Sequence, residues 1–147
     1  MAATRTAAVA WEGDLTGGSG TITQVGSGAF GQLPVSWAAR TEAPGGKTSP
    51  EELLAAAHAS CFAMALSGAL ARAGTPPASL AVSAAVTFDK GDDGWRVTTS
   101  ALTVRGRVPG ATAGSFAEAA ESTKTGCPIS KALIGNVELT VDAALEA

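Results

Sequence analysis

The stretch from Ser49 to Gly74 constrains the fold more than any other part of the chain. Ser49 reads as an N-cap, Pro50 as the first helical residue, and Glu51 and Glu52 as first-turn acids beside the positive end of the helix dipole. Alanine, leucine and methionine then dominate as far as Ala73, and Gly74 with Pro76-Pro77 stops the run. These signals predict one long helix. Leu54, Ala57, Cys61, Ala65 and Gly68 share a face at helical spacing, yet small residues occur nearly all round. Such a helix is expected to be buried on several sides and to let another helix pack closely.

Strand patterns flank this helix. Thr4 to Trp11 alternates, turn residues follow from Gly13 to Gly20, and Thr21 to Val25 is rich in β-formers, which predicts a hairpin. Val35, Trp37 and Ala39 alternate with Ser36, Ala38 and Arg40, which predicts a third strand ending before Pro44-Gly45-Gly46. Beyond the helix, Val82 to Phe88 alternates, Lys90 to Gly94 turns, and Trp95 to about Arg107 returns. Ser115 to Lys124 reads as a second helix, and Gly126-Cys127-Pro128 as a stop and restart into a short helix ending near Leu133. Val137 to Leu145 alternates once more. The expected order is β-β-β-α-β-β-α-β, an α+β domain with mainly antiparallel sheet around the long helix.

With 147 residues and 46% hydrophobic content, the chain is expected to be a single domain, residues 1–147, with a real core. Only ten basic residues occur, scattered, and the net charge is −3, so nucleic acid is not an expected partner. The N-terminal residues lack the form of a signal peptide, and His58, Ser60, Ser67 and Arg72 interrupt the most apolar stretch. A cytoplasmic protein with no membrane partner is expected. Two cysteines 66 positions apart are too few for a disulfide scaffold, which makes chemistry a better reason for them than stapling.

Taken singly, the polar residues leave alternatives open. Cys61 inside a helix reads first as a small buried hydrophobe. Cys127, before Pro128 at a helix start, occupies a position where thiolates are stabilised, or is tolerated there as a cap. His58, three residues before Cys61, is a helix neighbour that either serves as its base or is a packed histidine. Arg40 reads as a solvated strand arginine, and Glu51 is explained as a first-turn acid. Two cysteines and one histidine lack the close pairing of a zinc site, so no metal or cofactor is expected.

The run Thr48-Ser49-Pro50-Glu51-Glu52-Leu53-Leu54-Ala55-Ala56-Ala57-His58-Ala59-Ser60-Cys61-Phe62-Ala63-Met64-Ala65-Leu66 resembles the OsmC/Ohr family, as does Gly126-Cys127-Pro128-Ile129-Ser130-Lys131-Ala132-Leu133. Trp11-Glu12-Gly13 looks like the OsmC branch. The resemblance implies a thiol-only reduction of organic hydroperoxides, and less efficiently of hydrogen peroxide, by an intertwined homodimer. It implies that Cys61 is the peroxidatic cysteine, Cys127 the resolving one and Glu51 the active-site glutamate. It also implies that Arg40 is the arginine that the OsmC branch places on the strand before the helix; the first hairpin, where the Ohr branch carries its own, has none from Asp14 to Gly18.

Under that reading Cys61 must ionise. A thiol of pKa about 8.5 is only about 3% thiolate at pH 7, and a neighbouring arginine would raise that fraction. Glu51 would hold the guanidinium in a two-point grip. Ten residues of unbroken helix put Glu51 about 15 Å along the axis from Cys61 and about 80° away in rotation. Each site is therefore expected to take its Arg40–Glu51 pair from the other subunit. Phe62, Met64 and Trp37 are core candidates that would otherwise favour alkyl or aryl peroxides. An external thiol or dithiol, such as a lipoyl group, would close the cycle. Two rivals remain: a thiol–disulfide redox sensor using the same pair, and a non-catalytic ligand-binding dimer with inert thiols.

Overall fold

The computed structural model describes Met1–Ala147. The chain divides into two compact units, Met1–Leu53 and Leu54–Ala147. The first holds strands β1 (Ala7–Glu12), β2 (Ser19–Val25) and β3 (Leu33–Val35) in an antiparallel sheet of that order. β1 is exposed along its whole length.

The predicted third strand is shorter than its alternation suggested, and this moves Arg40. β3 ends at Val35, and a short helix α1 (Trp37–Thr41) follows, with Arg40 in its last turn. The cause is local. The Ser36 side chain accepts a hydrogen bond from the Ala39 N–H at 3.1 Å, an N-cap that outweighs the strand pattern over a few small residues.

Helix α2 (Pro50–Arg72) begins and ends where its caps predict. Ser49 Oγ accepts from the Glu52 N–H at 3.1 Å. At the other end Thr75 N–H reaches the Leu70 carbonyl at 2.9 Å and Gly74 N–H the Ala71 carbonyl at 3.1 Å. That is the Schellman arrangement, and Gly74 takes the left-handed φ of 88° it requires. The burial of α2 differs from expectation. Glu51, His58, Phe62, Leu66 and Leu70 form the buried set, whereas Met64 is 72% exposed. A helix of small residues does not reveal from its sequence which stripe is covered. By length and composition α2 would suffice to cross a bilayer, its polar interruptions notwithstanding. The buried histidine and the stripe Phe62, Leu66 and Leu70, which joins the core, fit a core helix.

The second unit carries β4 (Ser79–Gly91), β5 (Gly94–Arg107) and β6 (Glu138–Leu145), with β5 in the centre. β4 and β5 form a long antiparallel hairpin. β6 runs parallel to β5, from Thr99 opposite Glu138 to Gly106 opposite Leu145. The alternation of Val137 to Leu145 carried no sign of direction. A parallel neighbour needs a crossover, and helices α3 (Ala113–Gly126) and α4 (Pro128–Leu133) supply it. A reciprocal capping box between Thr112 and Ser115 starts α3.

The core lies between α2, the inner face of β5 and the crossover helices. Phe62, Leu66, Leu70, Leu102, Val104, Val108, Phe116, Ala120 and Cys127 form it. Burying each large side chain there contributes about 1.5–3 kcal/mol. Gly106 is required by packing, because a Cβ at that position would lie 2.6 Å from the Phe116 ring. The core therefore fixes the crossover against β5, and with it the junction where α3 becomes α4.

Candidate active site

That junction is Cys127. The residue is both the C-cap of α3 and the N-cap of α4, with Pro128 as the first residue of the new helix. Its N–H bonds to Thr123 O at 3.1 Å, and its own carbonyl accepts from Lys131 N–H at 3.0 Å. The first-turn amides of a helix lack intrahelical partners. Here Cys127 Sγ accepts from the Ser130 N–H at 3.3 Å and lies 3.0 Å from Ser130 Oγ. The cysteine is fully buried.

Cys61 projects from the middle of α2 onto the same core cluster and is half-buried. Its thiol neighbours the Cys127 side chain and the Ile129 backbone amide. Both cysteines are unlinked. Burial pushes the Cys61 thiol up from its ordinary value, the neighbouring Cys127 adds to this, and the Ile129 N–H opposes it. The N-terminus of α4 thus presents one amide to each thiol. Neither Ile129 nor Ser130 stood out in the sequence. The available signal was Cys-Pro at a helix start, which aims the next two N–H groups forward.

His58 is a packed histidine rather than a partner of Cys61. It is completely buried, with Nδ1 2.6 Å from Ser100 Oγ and Nε2 2.8 Å from Ser130 Oγ. Burial lowers its pKa, so the ring is neutral, one nitrogen donating and the other accepting. Between a lowered folded pKa and the unfolded value of 6.5, the unfolded chain binds the proton and the folded chain does not. This contribution is fully present above 6.5 and is lost as pH falls through that value toward the folded pKa, at a slope of at most about 1.4 kcal/mol per pH unit. Urea unfolding from pH 7.5 to 5 is expected to show the loss in the wild-type chain and a shallower dependence in His58→Gln. Equal slopes would contradict it.

Arg40 and Glu51 meet within the first unit. Arg40 Nε donates to both carboxylate oxygens of Glu51 at 3.0 and 3.1 Å, and Nη2 donates to Oε1 at 2.8 Å. Glu51 is only 8% exposed, so the carboxylate is committed to this fork. The guanidinium also lies over the Trp37 ring, 5.8 Å from its centroid. A cavity of about 190 Å³ opens beside it, lined by Trp11, Leu15, Val35, Ser36, Trp37, Arg40 and Pro50. Of the three apolar candidates, Trp37 therefore lines a cavity beside the arginine, Phe62 is core and Met64 faces outward.

The four site candidates thus fall into two pairs, Arg40 with Glu51 in the first unit and Cys61 with Cys127 in the second.

A family described as OsmC-like protein matches residues 43–142, a span that contains Glu51, Cys61 and Cys127 and begins just after Arg40. Peroxiredoxin OsmC of Escherichia coli (strain K12) is 43% identical over 136 residues, 92% of each chain, and the protein of that name from Shigella flexneri matches equally well. The organic hydroperoxide resistance protein OhrB of Bacillus subtilis superposes with a TM-score of 0.70 at 25% identity, over 96% of this chain and 98% of that one. An OsmC from Legionella pneumophila, at 20% identity and a TM-score of 0.67 over 97% of both chains, shares the fold.

Proposed function

This chain belongs to the OsmC-like protein family, and on that premise we propose that it is a thiol-dependent peroxidase reducing organic hydroperoxides to alcohols. Hydrogen peroxide would be a poorer substrate. The observation that carries the reading is the pairing of two unlinked thiols, Cys61 and Cys127, as neighbours at one core cluster. In the proposed cycle the Cys61 thiolate attacks the terminal peroxide oxygen. The O–O bond breaks, the alkoxide leaves and takes a proton, and Cys61 becomes a sulfenic acid. Cys127 displaces hydroxide from that sulfur to give a disulfide and water. An external dithiol then reduces the disulfide by exchange, returning both thiols.

The raised pKa of Cys61 within a single chain means that something else must favour its thiolate. Arg40 is assigned that part, with Glu51 fixing its direction. Helix geometry supports assigning the pair to the site of a second subunit. α2 is unbroken from Pro50, so Glu51 lies about 15 Å along the axis from its own Cys61. A homodimer also accounts for apolar side chains left uncovered in one chain: Val9 at 60% exposure and Met64 at 72%. The apolar cavity beside Arg40 would take the organic part of the peroxide. Residues 1–147 would act as one OsmC-like domain, in the cytoplasm, in defence against oxidative stress.

One observation favours a second reading. With burial holding Cys61 protonated, both thiols would be inert in a non-catalytic ligand-binding dimer. A single assay separates the two. Purified protein with a dithiol is expected to consume cumene hydroperoxide rapidly, one dithiol oxidised per peroxide, and hydrogen peroxide more slowly. Loss of peroxide no faster than with dithiol alone would overturn the proposal and favour the inert reading.

A further inference from the structure

The α2 stripe that faces the core is apolar at Phe62, Leu66 and Leu70, but one turn earlier it carries His58. A histidine there needs partners, because burying an unpaired polar group is costly. Two serines supply them, and the line does not stop at the histidine. Ser100 Oγ lies 2.6 Å from His58 Nδ1, His58 Nε2 lies 2.8 Å from Ser130 Oγ, and Ser130 Oγ lies 3.0 Å from Cys127 Sγ. All four side chains are 0% exposed. No buried side-chain nitrogen or oxygen lacks a partner. The network is a closed line of three polar groups ending on a thiol, and none of the three has a part in the proposed peroxidase cycle.

Ser130 has one hydroxyl proton and two neighbours able to accept it. While Cys127 is a thiol, its S–H donates to Ser130 Oγ, and the serine proton points to His58 Nε2. His58 then donates from Nδ1 to Ser100. When Cys127 loses its proton, Ser130 can donate to the sulfur through both its N–H and its O–H. One serine thus turns the state of the sulfur into the state of the imidazole.

We propose that His58, acting through Ser130, is a positioning residue for the resolving step: it orients Cys127 Sγ and receives the thiol proton as that sulfur attacks Cys61. This rests on the peroxidase reading and deepens it. As the S–S bond forms, the S–O bond of the Cys61 sulfenic acid breaks. Cys127 sulfur is oxidised and Cys61 sulfur is reduced by one formal unit each, the Cys127 lone pair becoming the shared S–S bond and the S–O pair leaving with hydroxide. The thiol proton passes to Ser130 Oγ while the serine proton passes to His58 Nε2. The departing hydroxide takes a proton from solvent to become water, and His58 later returns its extra proton to solvent. Burial keeps the resting ring neutral, so that a nitrogen lone pair is available. The imidazolium exists only while the transfer is under way.

The two half-reactions give separate readouts. Wild-type protein, His58→Gln, Ser130→Ala and Ser130→Thr would be mixed with one equivalent of cumene hydroperoxide. Peroxide loss reports the first step. Disulfide and dimedone-trapped sulfenic acid, quantified by mass spectrometry, report the second. His58→Gln and Ser130→Ala are expected to consume the peroxide within about twofold of the wild-type rate while forming the disulfide at least about tenfold more slowly. Dimedone adduct should then accumulate on Cys61. Ser130→Thr restores the hydroxyl and should recover most of the disulfide rate. If His58→Gln does not fold, the comparison of Ser130→Ala with Ser130→Thr decides. Disulfide formation at the wild-type rate in Ser130→Ala, or equal slowing of both steps, would overturn the inference. Failure of the underlying reading looks different: wild-type protein itself would form neither adduct nor disulfide.

Discussion

Cys61→Ser is expected to lower kcat/KM for organic hydroperoxide by at least about a thousandfold, because a serine hydroxyl neither ionises near neutral pH nor becomes a sulfenic acid. Cys127→Ser is expected to behave differently. It should still consume one peroxide per Cys61 and then stop, with the oxidised sulfur trappable by dimedone. Cys61 Sγ neighbours both Cys127 and the Ile129 amide, so removing Cys127 leaves the first step its backbone donor. Stopped-flow measurement of peroxide loss distinguishes the two variants within one turnover. Equal loss of the first step in both would remove the division of labour between the thiols. Retention of turnover in Cys61→Ser would remove Cys61 from the chemistry altogether.

The second large effect is recovery of activity from two inactive chains. Arg40→Met removes the cation assigned to the Cys61 thiolate while leaving every cysteine in place. Cys61→Ser removes the nucleophile while leaving the Arg40–Glu51 fork in place. Each variant alone is expected to be nearly inactive. If the fork serves the other subunit, a mixed dimer has one site with both lesions and one with neither. Random pairing makes half the dimers mixed, so equal mixing after co-refolding should restore roughly a quarter of wild-type activity. If the fork served its own subunit, every site in a mixed dimer would carry one lesion and the mixture would stay inactive. Glu51→Ala in place of Arg40→Met should complement in the same way, since the carboxylate acts by holding the guanidinium.

How far the sequence reached depended on whether a feature was local. The ends of α2 were legible because Ser49, Pro50 and Gly74 act on their own neighbours. The start of α4 was legible for the same reason, through Cys127 and Pro128. Arg40 lies in a short helix and not on the expected strand, because the Ser36 cap outweighs an alternation spread over a few small residues. The parallel pairing of β6 depends on the crossover, which no strand encodes by itself. Within the site, the pairing of Arg40 with Glu51 could be anticipated from their complementary chemistry. Two serines on a central strand and a short helix, at positions 100 and 130, could not be assigned to His58 before the core had been assembled. The rise of the Cys61 pKa was likewise hidden, because it reflects burial and a second thiol rather than any residue beside it in the chain.

The bond between the two sulfurs is the central event of the proposed cycle. Reduced protein, titrated with cumene hydroperoxide and digested for mass spectrometry, is expected to yield one Cys61–Cys127 disulfide for each peroxide consumed, up to one per chain. Peroxide consumed with both thiols unmodified, or with oxidation that never joins Cys61 to Cys127, would contradict it.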